Sequence, residues 1–345
     1  MRHNRFLCAA ALTYAAASAG PVLAQGASTS TAEPKVEMRE WVVPWKNTRP
    51  RDPMRDPASG RVWFVGQEGN YVATLDPGTG EFKRYAVDEG TFPHDVIVDP
   101  RGDAWYAGNR NGMIGRIDGS SGSITRFPMP DRAARDPHTL AFDPRGDLWF
   151  TVQGGNRVGK LETRTGRVRL VEMPTKNARP YGIVVDTAGR PWFCQFGTNR
   201  IGTIDPRTMA LREYPLPNDR SRPRRIAMTT DGAVWYVDYT RGMLGRLDPT
   251  TGAVREWANP AGAASLPYAM TVDDRDRLWF VETGVQPNRL VGFDPKAERF
   301  VSVVPIASGG GTVRHMTFDR ATGTIWFGTD VGTIGKAVVS PKPIS

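Results

Sequence analysis

The sequence predicts an all-β protein, a seven-bladed β-propeller of four-stranded blades, and three observations carry that prediction. Seven tryptophans, Trp63, Trp105, Trp149, Trp192, Trp235, Trp279 and Trp326, recur at intervals of 42 to 47 residues, the length of one four-stranded blade. Around each of them apolar and polar residues alternate with a period of two, and Gly, Pro and Asp punctuate the runs, as expected of short strands joined by tight turns. Finally, the last unit stops one strand short, and a segment resembling the missing strand precedes the first unit.

Residues 1–24 read as a secretory signal. Arg2 and Arg5 form a basic start, Phe6 to Ala19 carry no charge, and Val22-Leu23-Ala24 approximates a small-x-small cleavage site. The expected mature chain begins at Gln25, with residues 25–35 as a flexible lead. The apolar stretch is too short for a bilayer span and no later segment approaches about 20 apolar residues, so an exported, periplasmic protein without a membrane span is expected. Cys8 lacks the small residues before it that a lipoprotein signal needs, and it leaves with the signal. Only Cys194 remains, which excludes an internal disulfide. Between Phe193 and Gln195 in a strand, it is expected to be buried and inert.

The propeller is expected over residues 36–340, with 36–45 as its closing strand and 341–345 as a tail. In the third unit, Pro137 to Asp143 alternate as a first strand and Asp143-Pro144-Arg145-Gly146-Asp147 make a turn. Leu148-Trp149-Phe150 open the second strand, Asn156 to Leu161 form the third, and Thr165-Gly166 turn the chain into a fourth from Val168 to Val171. Fourth strands are likewise expected at Phe82–Tyr85, Ile124–Phe127, Leu211–Tyr214, Val254–Trp257 and Phe300–Val303. Met38-Arg39-Glu40-Trp41 matches Leu211-Arg212-Glu213-Tyr214 and is assigned as the outer strand of the seventh blade, removing an open edge.

The innermost strand of each unit opens at one mouth of the central channel. Aligning the units puts Arg51, His94, His138, Tyr181, Arg224, Tyr268 and Arg314 first at that lip. Asp52, Asp95, Thr139, Gly182, Arg225, Ala269 and His315 follow one residue later. All three histidines beyond the signal lie in these two registers. Scaffold positions repeat while the lip diverges, the pattern expected of polar groups converging on a ligand. His94 and His138 are the candidate catalytic residues. Arg51, Tyr181, Arg224, Tyr268, Arg314 and His315 are candidate substrate contacts. A third register, three residues beyond each Trp, holds Gly66, Gly108, Val152, Gln195, Asp238, Glu282 and Thr329 and is expected to approach the same mouth. Its two acids, Asp238 and Glu282, either bind a hard cation or pair with Arg224 and Arg225. Arginines facing one channel repel one another unless an anion compensates, so a small-molecule ester or carboxylate is the expected partner.

The formal charge of +9 falls by two when Arg2 and Arg5 leave. No basic run with interleaved aromatics occurs, which argues against nucleic acid. A nucleophile elbow, a phosphate-cradling glycine loop and paired metal-binding cysteines are all missing from the sequence. A closed ring suits a monomer.

Pro137-His138, Leu148-Trp149-Phe150-Thr151 and Asn156-Arg157-Val158-Gly159, with their counterparts in every unit from about Glu37 to Lys336, resemble the virginiamycin B lyase (streptogramin lyase) family. The resemblance implies a lyase that opens a cyclic depsipeptide at its ester by elimination. A His base takes the proton beside a carbonyl, and a Mg²⁺ ion held partly by acids offsets the developing charge. The family pattern of a His in two consecutive blades falls on His94 and His138, and its preceding acid falls on Asp136. Val152 stands at the family's Glu position in that blade. Glu282 follows its Trp correctly, in a blade that opens with Tyr268. Asp136, Asp238 and Glu282 are thus the implied metal candidates. The alternative is a non-catalytic periplasmic propeller that uses the same lip to bind an anionic ligand or a partner protein.

Overall fold

The computed structural model describes residues 35–340; the expected signal segment and most of the flexible lead and tail lie outside them. Twenty-eight strands form seven four-stranded antiparallel sheets. Blade 1 is β2 (Pro50–Arg55), β3 (Val62–Gly66), β4 (Tyr71–Leu75) and β5 (Phe82–Ala86). Blade 2 runs from β6 (Pro93–Val98) through β7 (Ala104–Gly108) and β8 (Met113–Ile117) to β9 (Ile124–Pro128). Blade 3 is β10 (Pro137–Phe142), β11 (Leu148–Val152), β12 (Arg157–Glu162) and β13 (Arg167–Glu172). Blades 4 to 6 repeat the plan with β14 (Pro180–Val185) to β17 (Leu211–Pro215), β18 (Pro223–Met228) to β21 (Val254–Ala258), and β22 (Pro267–Val272) to β25 (Arg299–Pro305). All six expected fourth strands are present, each extended by a residue or more.

Blade 7 has only three strands of its own, β26 (Val313–Asp319), β27 (Thr324–Thr329) and β28 (Thr333–Val338). Its outer strand is β1 (Glu37–Val42), which pairs antiparallel with β28 from Glu37↔Val338 to Val42↔Thr333. Trp41 stacks on Trp326 with ring centroids 5.8 Å apart, and Glu40 accepts a 2.6 Å hydrogen bond from the Thr333 hydroxyl. Pairing the two ends leaves neither β1 nor β28 with a free inner edge.

The tryptophans fill the blade interfaces. Trp105 of blade 2 packs with Leu140, Leu148 and Phe150 of blade 3. Its indole N–H donates to Asp99, six residues earlier, across 3.2 Å. Trp192 and Trp279 repeat that bond to Asp186 and Asp273, so in these three blades the Asp of the turn anchors the next strand's ring, while Trp235 donates to the Thr229 hydroxyl. The indole N–H groups of Trp149 and Trp326 are buried without a partner. A second repeating device lies beside it. A Cβ on Gly159 of β12 would fall 2.1 Å from the Phe150 ring, so only glycine lets that aromatic lie flat across the blade.

In each blade the register between the first two strands slips just after the opening residue, as between Pro93 and Val96 and between Pro137 and Leu140. A bulge breaks the alternation of a strand and re-aims its side chains. Two consecutive residues therefore reach the channel in each blade, one at the lip and the next one deeper.

Candidate functional site at the channel mouth

The seven bulges close the channel with a polar layer. The His94 and His138 rings pack at a tilt of 37° with centroids 3.4 Å apart, and the Tyr181 ring lies 4.2 Å beyond His138. The Tyr181 hydroxyl hydrogen-bonds the Tyr268 hydroxyl from across the ring. Below the lip, Asp52 accepts from Arg51 Nε at 3.0 Å and lies 3.5 Å from Arg225 Nη2 and 3.9 Å from His94 Nδ1. Arg225 also donates to the Thr139 hydroxyl at 3.1 Å and to the Arg314 carbonyl. Thr139 in turn bonds His138 Nδ1 at 2.9 Å. Arg225 donates to Thr139, and the arrangement in which the Thr139 hydroxyl donates to His138 Nδ1, with the ring proton on Nε2, satisfies both bonds. Asp95 accepts from the Leu140 backbone N–H at 2.8 Å. These groups are at most 4 % exposed, and several polar atoms among them, including Arg51 Nη2, Asp52 Oδ2, His94 Nδ1 and Arg225 Nη2, make no hydrogen bond. Buried polar atoms left this way are unusual and are the mark of a site that receives polar groups.

The electrostatics follow from arginine. Burial, with Arg51 and Arg225 nearby, holds both His94 and His138 well below the ordinary imidazole range. His315, buried beside Arg225, is pulled down to about 3 despite the opposing pull of Asp52. All three rings are therefore neutral near pH 7. Burial works against the Asp52 carboxylate, but Arg51, His315 and Arg225 outweigh it and keep it below its usual value. Asp95, buried and next to that carboxylate, is pushed up to about 7. Tyr268 is opposed by burial, yet Arg224, Arg51, Arg225 and Arg314 bring it down to about 8. Tyr181 is raised by burial and by Tyr268.

The register beyond each Trp departs from expectation by one residue. Gln195, Asp238, Glu282 and Thr329 are fully buried and turn back into their own blades. Gln195 donates to Glu213, Asp238 takes Arg241 at 3.3 Å, and Glu282 takes Arg289 Nε at 2.8 Å. The pairing of these acids is thus with Arg241 and Arg289 rather than with Arg224 and Arg225. The next residue along reaches the lip, because successive side chains of a strand point to opposite sides. Gln67 accepts from Arg51 at 3.0 Å, and Asp330 clamps Arg314 with contacts of 3.0 and 2.5 Å. Phe196 and Tyr239 lie 4.6 and 4.2 Å from the Arg224 guanidinium, with Tyr268 at 3.6 Å on another side. Sequence reasoning placed Asp52, Asp95, Thr139 and Arg225 in the right register without assigning them. It missed Gln67, Phe196, Tyr239 and Asp330, whose only signal is a position four residues past each Trp.

The acids do not assemble around a cation. Asp136 spends its carboxylate on the backbone N–H groups of Gly154 and Gly155. Asp238 and Glu282 accept further backbone N–H bonds besides their arginines. Among the described residues no group of three or more His, Cys, Asp or Glu is arranged to hold a metal ion. A hard cation needs several free oxygens at once, and these donors do not fit the Mg²⁺ that the resemblance implies.

Beneath the polar layer the channel widens into a cavity of about 420 Å³ walled by Ile97, Leu140, Met228, Met270, Met316 and Phe318, with Arg225 and His315 at its inner end. A larger cavity of about 810 Å³ opens among Met54, Val98, Trp105 and Phe142, sharing Met54 and Phe142 with the first, and contains none of the histidines. Cys194 is buried, and burial pushes its thiol well above the ordinary range. Among the described residues no helix is long and apolar enough to cross a membrane.

Residues 38–337 match the virginiamycin B lyase family. The chain belongs to that family. Its fold superposes on a streptogramin B lyase with a TM-score of 0.79 and 27 % identity, over 88 % of this chain and 97 % of that one. Virginiamycin B lyase from Staphylococcus aureus matches with the same TM-score at 25 % identity, over 88 % of this chain and 99 % of that one. A catalytically inactive His-to-Ala variant of the Staphylococcus aureus enzyme, solved with quinupristin, matches with TM-score 0.79 at 26 % identity over the same shares. No curated protein matches this chain. The match covers all seven blades.

Proposed function

We propose that this protein is an exported lyase-like enzyme that opens a cyclic ester or depsipeptide by elimination at the polar mouth. The observation that carries the reading is the convergence there of two imidazoles in contact and two hydrogen-bonded phenols, ringed by Arg51, Arg224, Arg225 and Arg314. In such an elimination the proton beside a carbonyl is removed, the carbon–oxygen bond of the ester breaks, and a carboxylate leaves. Negative charge develops on the enolate oxygen and the leaving group, and fixed guanidinium groups in a water-poor site stabilise it strongly. His138, with its Nε2–H directed by Thr139 and Arg225, is suited to hydrogen-bond the carbonyl. The bound quinupristin of a family relative makes a type B streptogramin the first substrate to test.

The test is incubation of the mature chain with quinupristin, read by chromatography and mass spectrometry. A linear product of unchanged mass is expected, and His138→Ala should reduce its rate by about 10²-fold or more. Turnover should persist in chelator, since the acids are engaged elsewhere. A product heavier by one water would show hydrolysis instead. The second reading, a non-catalytic propeller for an anionic ligand, is favoured by the near-complete burial of the lip. Saturable quinupristin binding with no product would select it. Export is proposed from the signal segment, and N-terminal sequencing of the secreted form should begin at Gln25.

A further inference from the structure

The polar layer holds two kinds of group able to take a proton, and the field around them does not treat both alike. An imidazole becomes a cation when it accepts a proton, and neighbouring cations oppose that; a phenolate starts as an anion, and the same cations favour it. His94 and His138 press against each other with their rings tilted by 37°, and His138 Nδ1 is already tied to Thr139. Arg51 and Arg225 stand near both rings.

Tyr268 has the opposite surroundings. Its hydroxyl is bonded to that of Tyr181, which can donate and so leave the Tyr268 oxygen as the acceptor. The Arg224 guanidinium lies 3.6 Å from its ring centre and Arg314 lies 5.8 Å away, while Arg225 is 5.3 Å from the Tyr181 ring. Tyr239 packs edge-on at 6.0 Å. Arg314 is held by Asp330, whereas among the described residues Arg224 has no acidic partner. Arg51 adds to this field, and among the described residues no acidic side chain is hydrogen-bonded to the Tyr268 hydroxyl.

We propose that Tyr268, bonded to Tyr181 beneath Arg224, is the proton acceptor of this site, and that Arg224 receives the carboxylate that leaves. The proposal rests on the elimination reading and defines its substrate class, an ester whose alkyl oxygen sits on the carbon β to a carbonyl. The Tyr268 phenolate takes the proton from the α carbon. The electron pair of that C–H bond becomes the new carbon–carbon double bond, the Cβ–O bond breaks, and its electrons leave on the carboxylate. Tyr268 then returns its proton to solvent. Tyr268 is 1 % exposed and Arg224 covers it as a partly exposed member of the lip, so Arg224 must move aside as substrate enters. No acid pins it there; its contacts are with the rings of Tyr181, Phe196, Tyr239 and Tyr268. The low ionisation point of Tyr268, about 8, agrees with the geometry.

Two measurements on the mature chain separate this inference from the lyase reading. In an ultraviolet pH titration of tyrosinate absorbance, one tyrosine should ionise near pH 8. That phase should vanish in Tyr268→Phe and move upward in Arg224→Gln, with both variants keeping the native circular dichroism. With quinupristin, Tyr268→Phe should lose about 10³-fold in kcat, and the wild-type rate should rise with pH through the same midpoint. Tyr181→Phe should shift that midpoint upward and keep most of the maximal rate, which a merely structural tyrosine would not do. If no tyrosine titrates below pH 9, or if Tyr268→Phe turns over normally, the inference is overturned. A low titration with no turnover by the wild type overturns the elimination reading and, with it, the catalytic use of an established phenolate.

Discussion

The ring of interface tryptophans and the ring of lip residues are built from the same seven repeats and obey opposite rules. At the interfaces each blade offers the same group. Every repeat tryptophan is at most 3 % exposed, and several are pinned by an aspartate six residues earlier. At the lip hardly any two neighbouring blades agree, polar groups are left without partners, and charges crowd together. Repetition gives each interface the same apolar packing, so stability is distributed around the ring. The lip concentrates unlike groups at the one place where all seven blades meet, and its unsatisfied polarity is carried by the scaffold. The comparison teaches that in this chain identical positions hold the fold and divergent positions hold the chemistry.

The sharpest way to break that comparison is to open the ring. Deleting residues 36–45 removes β1, the Trp41–Trp326 stack and the six-residue pairing with β28. The loss should exceed that of any single core residue, so the melting temperature should fall sharply; an unchanged value would refute the closure. One step smaller, Trp105→Ala should cost about 3–5 kcal/mol, the range for truncating a buried aromatic, read from urea unfolding. Trp326→Phe should cost less than Trp105→Phe, since the Trp326 N–H has no bond to lose.

Asp95→Asn probes the lip. The folded carboxyl is raised to about 7 against about 3.9 in an unfolded chain, so its contribution is fully present below pH 4 and is lost as pH rises to 7. The buried histidines act in the other direction: their lowered folded values give stability that is present above about pH 6.5 and lost as pH falls. The variant keeps an oxygen for the Leu140 N–H, so relative to it the wild type should lose stability between pH 4 and 7. A difference that does not change with pH would mean that Asp95 is ionised throughout. The smallest effect belongs to Glu282→Gln, which weakens the Arg289 pair. It should cost about 1–2 kcal/mol and leave turnover and its insensitivity to chelator unchanged, whereas a metal ligand would lose activity.

Much of this was legible in the sequence because strand pleating and turn chemistry are local. The Trp interval set the blade count, and the missing last strand with its match at Met38–Trp41 located the closure. Aligning the opening strands brought His94, His138, Tyr181, Tyr268 and the lip arginines to one mouth. The reading slipped at the residues beyond each Trp. Asp238 and Glu282 sit where a simple alignment puts them, but the pleat turns them inward and presents Tyr239 and Thr283 on the other side. Repetition marked the position, but not which of two neighbouring residues faces the axis.

By itself, then, the sequence determined the ring, its number of blades, its seam, and the set of side chains delivered to the mouth. Only the tertiary structure decided how that set behaves. The bulge at the start of each blade admits two consecutive residues to the channel, and it depends on pairing between strands rather than on the alternation within one. The balance between imidazole and phenol depends on four arginines contributed by three different blades. Electrostatic energy in a buried site sums over all of them at distances of a few ångströms, and that sum exists only when the ring is closed.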